Sequence, residues 1–304
     1  MKAFCPFHIT GFFAIKLNVE KVSSIGCGTV IADGATTEAF KGEGRVYINR
    51  SSSLAPTTKT VASLLSGKLA DIWTDLAGPV GCGFGTSGAG ALSTALALNE
   101  LWGLKYAFDA LRKVAQRAEI ENKTGVGDVV AQALGGIVIR KQNAVDRIPT
   151  PPLEVSYVVF SPLPTPEILA DKSTLAATNK FGSAALKDLL RKPTFDEFMR
   201  LSRHFAYNTE LISERTRDAV EAVEASGGLA SMIMLGDAVY AVDPAGALSE
   251  FGAPRKTAIY NCGAHLLSQP SEKEDASPKK KQTSASKVND AEAGYGEYKT
   301  HLKR

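Results

Sequence analysis

The chain has 304 residues, 44% of them apolar and 22% charged, a composition that suits a globular protein with ample material for a core. Its formal net charge is +3. Residues 268–304 hold eight basic and six acidic side chains, so residues 1–267 are almost neutral, which gives no basis for a nucleic-acid partner; no apolar run approaches the ~20 residues a membrane helix needs.

Residues 3–15 are fairly apolar but contain Pro6 and His8 and lead to no small-residue cleavage site, so a buried strand is expected rather than a signal peptide. Strands are expected at 3–10, 28–32 and 36–39. Residues 43–50 alternate Val46 and Ile48 with polar positions, the period of a half-buried strand. After a loop at 51–56, Val61, Leu64, Leu65, Leu69 and Ile72 keep helical spacing. A glycine-rich stretch at 78–90 precedes an alanine-rich helix over 91–101, stopped by Gly103. A further helix is expected over 107–121. Gly125-Val126-Gly127-Asp128 breaks the pattern, and Gly135-Gly136 leads into a short strand that ends at Arg140.

Three prolines close the segment 146–152, the best domain boundary in the chain. Beyond it a strand at 155–160 and helices near 175–190, 195–207 and 214–224 are expected. Strands at 229–235, 238–242 and 257–261 complete the pattern. From residue 268 onward aliphatic residues nearly vanish, and such a segment cannot offset its ordering entropy by burial. The expected organisation is therefore 1–150, 151–267 and a disordered tail at 268–304. Cys5, Cys27, Cys82 and Cys262 are far apart and form no CxxC pair, which favours reduced, mostly buried thiols and a cytoplasmic setting.

The glycine-rich stretch carries the first chemical signal. Glycines let a backbone approach a ligand closely and direct successive N–H groups toward it. A helix N-terminus adds unpaired donors and a positive dipole end, which together favour an anion. Thr86 and Ser87 set hydroxyls at the helix start, within reach of a phosphate or a metal. The competing reading is that the glycines only permit tight helix packing. The stretch lacks the Gly-Lys-Ser/Thr of a Walker A loop.

Pro79-x-x-x-Gly83-Phe84-Gly85-Thr86-Ser87-Gly88-Ala89 resembles the phosphate loop of the GHMP kinases, whose pattern is Pro-x-x-x-Gly-Leu-Gly-Ser-Ser-Ala. Downstream, Glu119 near a helix end, the turn ending in Asp128 and the pair Gly135-Gly136 are similar to the second conserved region of that superfamily. The N-terminal Pro6-Phe7-His8-Ile9-Thr10-Gly11-Phe12-Phe13 departs from the usual Pro-Gly-Lys opening and resembles the archaeal pantoate kinase branch. So do Glu121-Asn122-Lys123-Thr124-Gly125-Val126-Gly127-Asp128, Phe205-Ala206 with Thr209, and Ser231-Met232-x-Met234-Leu235-Gly236. Gly227-Gly228-Leu229-Ala230-Ser231 occupies the expected place of the superfamily's C-terminal glycine motif, with fewer glycines, and leaves open how that region meets ATP.

The resemblance implies an α+β fold of two domains, a ribosomal-protein-S5-like one and a ferredoxin-like one, with the site between them. It implies ATP and Mg²⁺ as cofactors, pantoate as the small-molecule substrate and a step on the route to coenzyme A. Pro79, Gly83, Gly85, Thr86, Ser87, Gly88 and Ala89 would hold the phosphates, Ser87 and Glu119 the Mg²⁺, and Asp128 would take the proton of the substrate hydroxyl. Glu121 is the alternative to Glu119. His8 is either a satisfied core histidine or a group that contacts pantoate or orients Asp128. Arg140 either emerges into solvent or clamps the pantoate carboxylate, for which a planar guanidinium is well suited. Homoserine- or mevalonate-like substrates and a non-catalytic ligand sensor are the rival readings; a homodimer is left open.

Overall fold

The computed structural model describes residues 1–18, 21–162 and 171–268; the segment expected to be disordered lies outside them. Met1–Gln269 forms one compact unit. It opens with a long hairpin, β1 (Lys2–Asn18) against β2 (Lys21–Lys41), which joins the separate strands expected there. Register shifts at Pro6/Phe7 and Thr10/Phe12 interrupt the ladder, the first where proline has no N–H to give. Between the two shifts Phe7 and Ile9 share one face of the strand, and His8 faces the other way.

The far edge of β2 is divided between two partners. Its residues 35–41 pair with β5 (Ala70–Leu76) and residues 26–29 with β6 (Ile137–Arg140). β3 (Val46–Ile48) pairs with β5 in parallel and turns back into β4 (Ser51–Ser52). The single strand expected over 43–50 is thus a two-residue hairpin. Asn49 and Arg50 make its turn at φ 49° and 65°, the twist that such hairpins need. β7 (Val145–Ile148) continues the sheet beyond β6.

The helical spacing through Ile72 does not produce one helix. α1 (Pro56–Leu65) ends, Gly67 turns at φ 61°, and Ile72 belongs to β5. There Ile72 and Thr74 are buried while Trp73 and Asp75 are exposed, the period of a strand. Pairing with β2 on one side and β3 on the other prevails over the local spacing.

α2 (Thr86–Trp102) is the central helix, buried from Gly88 through Leu98, as expected of a helix apolar all round. It packs against β2, β1, α1 and α3 (Phe108–Glu121). Ser93 of α2 meets Thr37 of β2 at 2.7 Å, and Thr37 meets Thr74 of β5 at 2.9 Å, so the buried hydroxyls satisfy one another. The short α4 (Asp128–Leu134) follows the Gly-x-Gly turn; seven residues are too few for a periodic signal.

A second, antiparallel sheet has the order β11 (Arg255–Ala258), β8 (Glu154–Ser161), β10 (Asp237–Val242), β9 (Leu229–Met232). Of the helices α5 (Lys172–Leu189), α6 (Phe195–Asn208) and α7 (Glu214–Ala225), the last two pack on β9, and α5 and α6 pack on β1. One hydrophobic core runs through both sheets. Phe12 meets Phe198 and Phe13 meets Phe205, with ring centroids 6.4 and 5.7 Å apart. The chain finally returns to the first sheet, where β12 (His265–Leu266) pairs with β1.

Gly182 of α5 lies directly against the Phe13 carbonyl, with no room for a methyl group. Gly182→Ala therefore has to lift α5 from β1, and overpacking of this kind costs about 1–3 kcal/mol. The expected result is a Tm several degrees lower in calorimetry; an unchanged Tm would mean that α5 is not seated on β1 in this way.

Candidate active site

The loop between β5 and α2 is built on three left-handed positions, Gly81 at φ 77°, Gly83 at φ 81° and Gly85 at φ 61°, which a side chain would strain. Gly83 is constrained twice, since a Cβ there would lie 2.5 Å from the Met234 carbonyl oxygen. Gly236 in turn abuts the Cys82 carbonyl. The segment at 234–236, just after β9, thus braces the loop. Gly228 instead packs against Val223 and Val242, so Gly227-Gly228 serves the turn between α7 and β9. The loop is tied to the core through Phe84, whose ring packs on Tyr157 at 4.9 Å and whose carbonyl accepts the His8 backbone N–H at 3.1 Å.

Thr86 is the first residue of α2. Ser87 follows, and its hydroxyl donates to Glu119 Oε2 at 3.1 Å. Thr124 donates to the other oxygen of Glu119 at 2.6 Å. Glu119 is 1% exposed. Burial pushes its carboxyl up to about 7, with the nearby Asp128 charge adding to the rise and the bonds from Thr124 and Ser87 opposing it. Glu121 is exposed and paired with Arg117 at 2.6 Å, so Glu119 is the glutamate that reaches the loop.

Asp128 begins α4 directly under that loop: a Cβ on Gly85 would stand 2.9 Å from its carboxyl carbon. Gly125 leaves an opening between the two acids, with Glu119 Oε2 at 2.6 Å and Asp128 Oδ2 at 3.3 Å from where its Cβ would be. His8 Nδ1 lies 2.7 Å from Asp128 Oδ1. A carboxylate can only accept, so Nδ1 carries the hydrogen. His8 Nε2 is buried with no hydrogen-bond partner among the described residues, and it lies against Gly28, which has no side chain to cover it.

His8, Ser24 and Arg140 form the polar part of a cavity beside Asp128, and Phe12, Cys27 and Val138 form part of its apolar wall. Arg140 Nη1 donates to Ser24 Oγ at 3.2 Å and to the Val126 carbonyl at 3.0 Å. Burial lowers the guanidinium pKa, and the Asp128 charge opposes this. Among the described residues Arg140 has no ion-pair partner within 4.0 Å. A half-buried cation held only by neutral groups is prepared for an anion.

The structure therefore brings together Ser87, Glu119, Asp128 and His8, with Arg140 in the adjoining cavity. Pro79 stands exposed on the outer limb of the loop, and Ala89 is buried in α2, its N–H bonded to the Gly85 carbonyl at 3.0 Å; these two shape the loop. Ser24 was not singled out from the sequence, where no spacing marks it, and Thr124 was singled out only as part of the segment 121–128 and given no role. The oxygen donors Ser87 and Glu119 fit Mg²⁺, which commonly binds through one or two carboxylates and completes its shell with phosphate and water. Among the described residues no three His, Cys, Asp or Glu side chains form a metal cage.

The GHMP kinases N terminal domain profile matches residues 56–136. A pantoate kinase of Methanocaldococcus jannaschii is 32% identical over 250 residues, 79% of this chain and 91% of that protein. A pantoate kinase of Methanospirillum hungatei is 32% identical over 284 residues, 87% of this chain and 96% of that protein. The chain belongs to the pantoate kinases. A solved phosphotransferase related to the CoA biosynthesis pathway superposes with a TM-score of 0.78 at 27% identity, covering 88% of this chain and 98% of that one. Homoserine kinase from Cytophaga hutchinsonii, at 16% identity and a TM-score of 0.64, covers 88% of this chain and 97% of its own and shares the fold alone. The α+β architecture of this pantoate kinase family member is thus the one expected of the GHMP kinases.

The raised carboxyl of Glu119 sets a pH dependence for the metal-free protein. An unfolded glutamate titrates near ~4.3, whereas the folded one titrates at about 7, so the folded state holds an extra proton between these values. The associated stability is fully present below the lower value and is lost as pH rises through the upper one. Tm without metal or nucleotide is expected to fall between pH 5 and pH 8, and Glu119→Gln to flatten that dependence. A slope that persists unaltered in Glu119→Gln would assign it to another group.

Proposed function

We propose that this chain transfers the γ-phosphoryl group of ATP to the primary hydroxyl of (R)-pantoate, giving (R)-4-phosphopantoate and ADP. The observation that carries this reading is the half-buried Arg140, without an ion-pair partner among the described residues, in a cavity whose wall includes His8, the hydrogen-bond partner of Asp128. Such a cavity suits a small acid that carries a hydroxyl: the guanidinium meets its carboxylate, and Asp128 meets its hydroxyl.

Phosphoryl transfer asks the protein mainly for positioning and for charge stabilisation. Gly83, Gly85, Thr86, Ser87 and Gly88 would hold the triphosphate at the start of α2, where backbone N–H groups are unpaired. Ser87 and Glu119 would hold Mg²⁺, which when bound neutralises phosphate charge. Asp128 accepts the substrate proton as the hydroxyl oxygen attacks, and the bond from His8 fixes which carboxylate oxygen remains free to do so. His8 Nε2 is left to meet a second polar atom of the substrate.

A homoserine- or mevalonate-like substrate fits less well, because the resemblance at residues 5–13 and 121–128 is to the pantoate kinase branch. A ligand sensor without activity would not need Ser87, Glu119 and Asp128 to converge. Four unpaired cysteines support a reducing, cytoplasmic setting, and no described helix is long and apolar enough to cross a membrane.

Asp128→Asn is expected to lower kcat by about 10²–10⁴, the scale of general-base catalysis, with nucleotide affinity nearly unchanged. Turnover near that of the wild type would remove Asp128 from the mechanism. Arg140→Ala is expected to raise the KM for pantoate far more than that for ATP, because a contact made equally in ground and transition states acts on KM. Arg140→Lys keeps the charge but not the planar fork and recovers only part of the loss. If pantoate amide and pantoate lose the same factor in Arg140→Ala, the guanidinium does not touch the carboxylate.

A further inference from the structure

We infer that Gln132 is a positioning residue that locks the phosphate loop onto the helix bearing Asp128. Gln132 follows Asp128 by one turn of α4 and is fully buried. Its Nε2 donates to the Gly85 carbonyl oxygen at 2.8 Å. That carbonyl also accepts the Ala89 N–H at 3.0 Å, the first bond of α2. The amide orientation is fixed by chemistry, since only the NH₂ end can face a carbonyl.

Two further observations distinguish this contact from incidental core packing. Gln132 Oε1 is buried without a hydrogen-bond partner among the described residues, a cost that a purely apolar side chain of the same shape would avoid. The space it occupies exists because residue 88 is glycine, where a Cβ would lie 2.8 Å from Oε1. Gly88 stands where the phosphate-loop pattern of the superfamily has alanine. The loop and α4 have thus been fitted to one another around this amide, on the face of α4 that carries Asp128.

Gly85 is left-handed, and its carbonyl is held from α2 by the Ala89 N–H; a bond within α2 does not fix the loop relative to α4, which takes a restraint from α4 itself. The amide of Gln132 supplies that restraint from α4. It keeps the distance between the phosphate loop and Asp128 fixed before either substrate arrives, which is where preorganisation acts on rate. The positioning role rests on the reading of this loop as the ATP phosphate site, but the restraint itself does not.

The test therefore has an arm that needs no ligand. Gln132→Met keeps length and volume and removes the donor; Gln132→Glu keeps the outline and sets an acceptor against the Gly85 carbonyl. Both are examined by calorimetric melting and by hydrogen exchange of the ligand-free protein. Amides at 83–89 are expected to exchange at least tenfold faster in Gln132→Met, with peptides from α5 to α7 unchanged. Binding of ADP–Mg²⁺, measured by titration calorimetry, is expected to weaken by about tenfold, with kcat reduced and the KM for pantoate within twofold of the wild type. Gln132→Glu is expected to show the same pattern more strongly.

Loop exchange in Gln132→Met equal to that of the wild type overturns the inference, whatever the nucleotide does. So does a loss spread evenly over both substrates and all peptides, which would mark Gln132 as a general stability residue. Faster loop exchange with wild-type protein that fails to bind ADP–Mg²⁺ would leave the restraint standing and refute the phosphate reading of the loop.

Discussion

Two carboxylates, Glu119 and Asp128, share one small opening under the phosphate loop, and much of the surrounding architecture can be understood as the means of keeping them there. Burial raises the cost of ionising Glu119, whose carboxyl is pushed up to about 7, and the nearby Asp128 charge adds to it. Hydroxyl donors from Thr124 and Ser87 offset part of that cost, while the imidazole of His8 holds Asp128. A cation with a triphosphate would offset the rest. On the reading proposed above, nucleotide and cation would meet that electrostatic need at Glu119, which would tie their binding to the charge beside Asp128, the acid proposed to act on the second substrate.

Glycines make this crowding sterically feasible. Gly85, Gly125 and Gly127 stand against Asp128, Glu119 and Arg140 respectively, at distances where a methyl group would collide. Gly28 does the same for the His8 ring. Each gap is spent on a charged or polar side chain rather than on backbone freedom alone. The loop is also held from several sides: by the 234–236 turn at Gly83, by Tyr157 at Phe84 and by α4 at Gly85. Three parts of the chain distant in sequence meet within a few residues of the loop.

The glycine cluster before an apolar helix and the broken helix ending at Asp128 were legible because their spacing is a local property, whereas the choice of Glu119 and the roles of the loop and both acids were implied by the resemblance to the GHMP kinases. The helices at 107–121, 195–207 and 214–224 were legible for the same reason. What was not legible depended on distant partners. Ile72 has helical spacing with Val61 and Leu65, yet β2 and β3 recruit it into a strand. α4 is too short for its period to register. Ser24 and the 234–236 turn acquire their meaning only when β2 meets β6 and β9 meets the loop. The partial burial of Arg140, which separates a clamp from a solvent-exposed strand end, follows from Ser24 and the turn at Val126–Gly127 meeting its guanidinium and from no feature of residues 137–140 themselves.

The replacement of the superfamily's lysine by His8 bears on how the base is managed. A lysine beside Asp128 would set a full, compact cation against it, and an adjacent opposite charge makes a carboxylate a weaker base. An imidazole orients Asp128 through Nδ1–H in either of its protonation states, and its other nitrogen remains directed at the cavity. The fixed cation of the site then lies elsewhere, at Arg140, on the side where an acidic substrate would present its carboxylate. On the proposed reading, separating the two tasks gives the orientation of the base to a group that need not carry charge and the recognition of the acid to one that always does. His8 lies between the two register shifts of β1 and meets Asp128 at the start of α4, so this division of labour would rest on the register of the first hairpin.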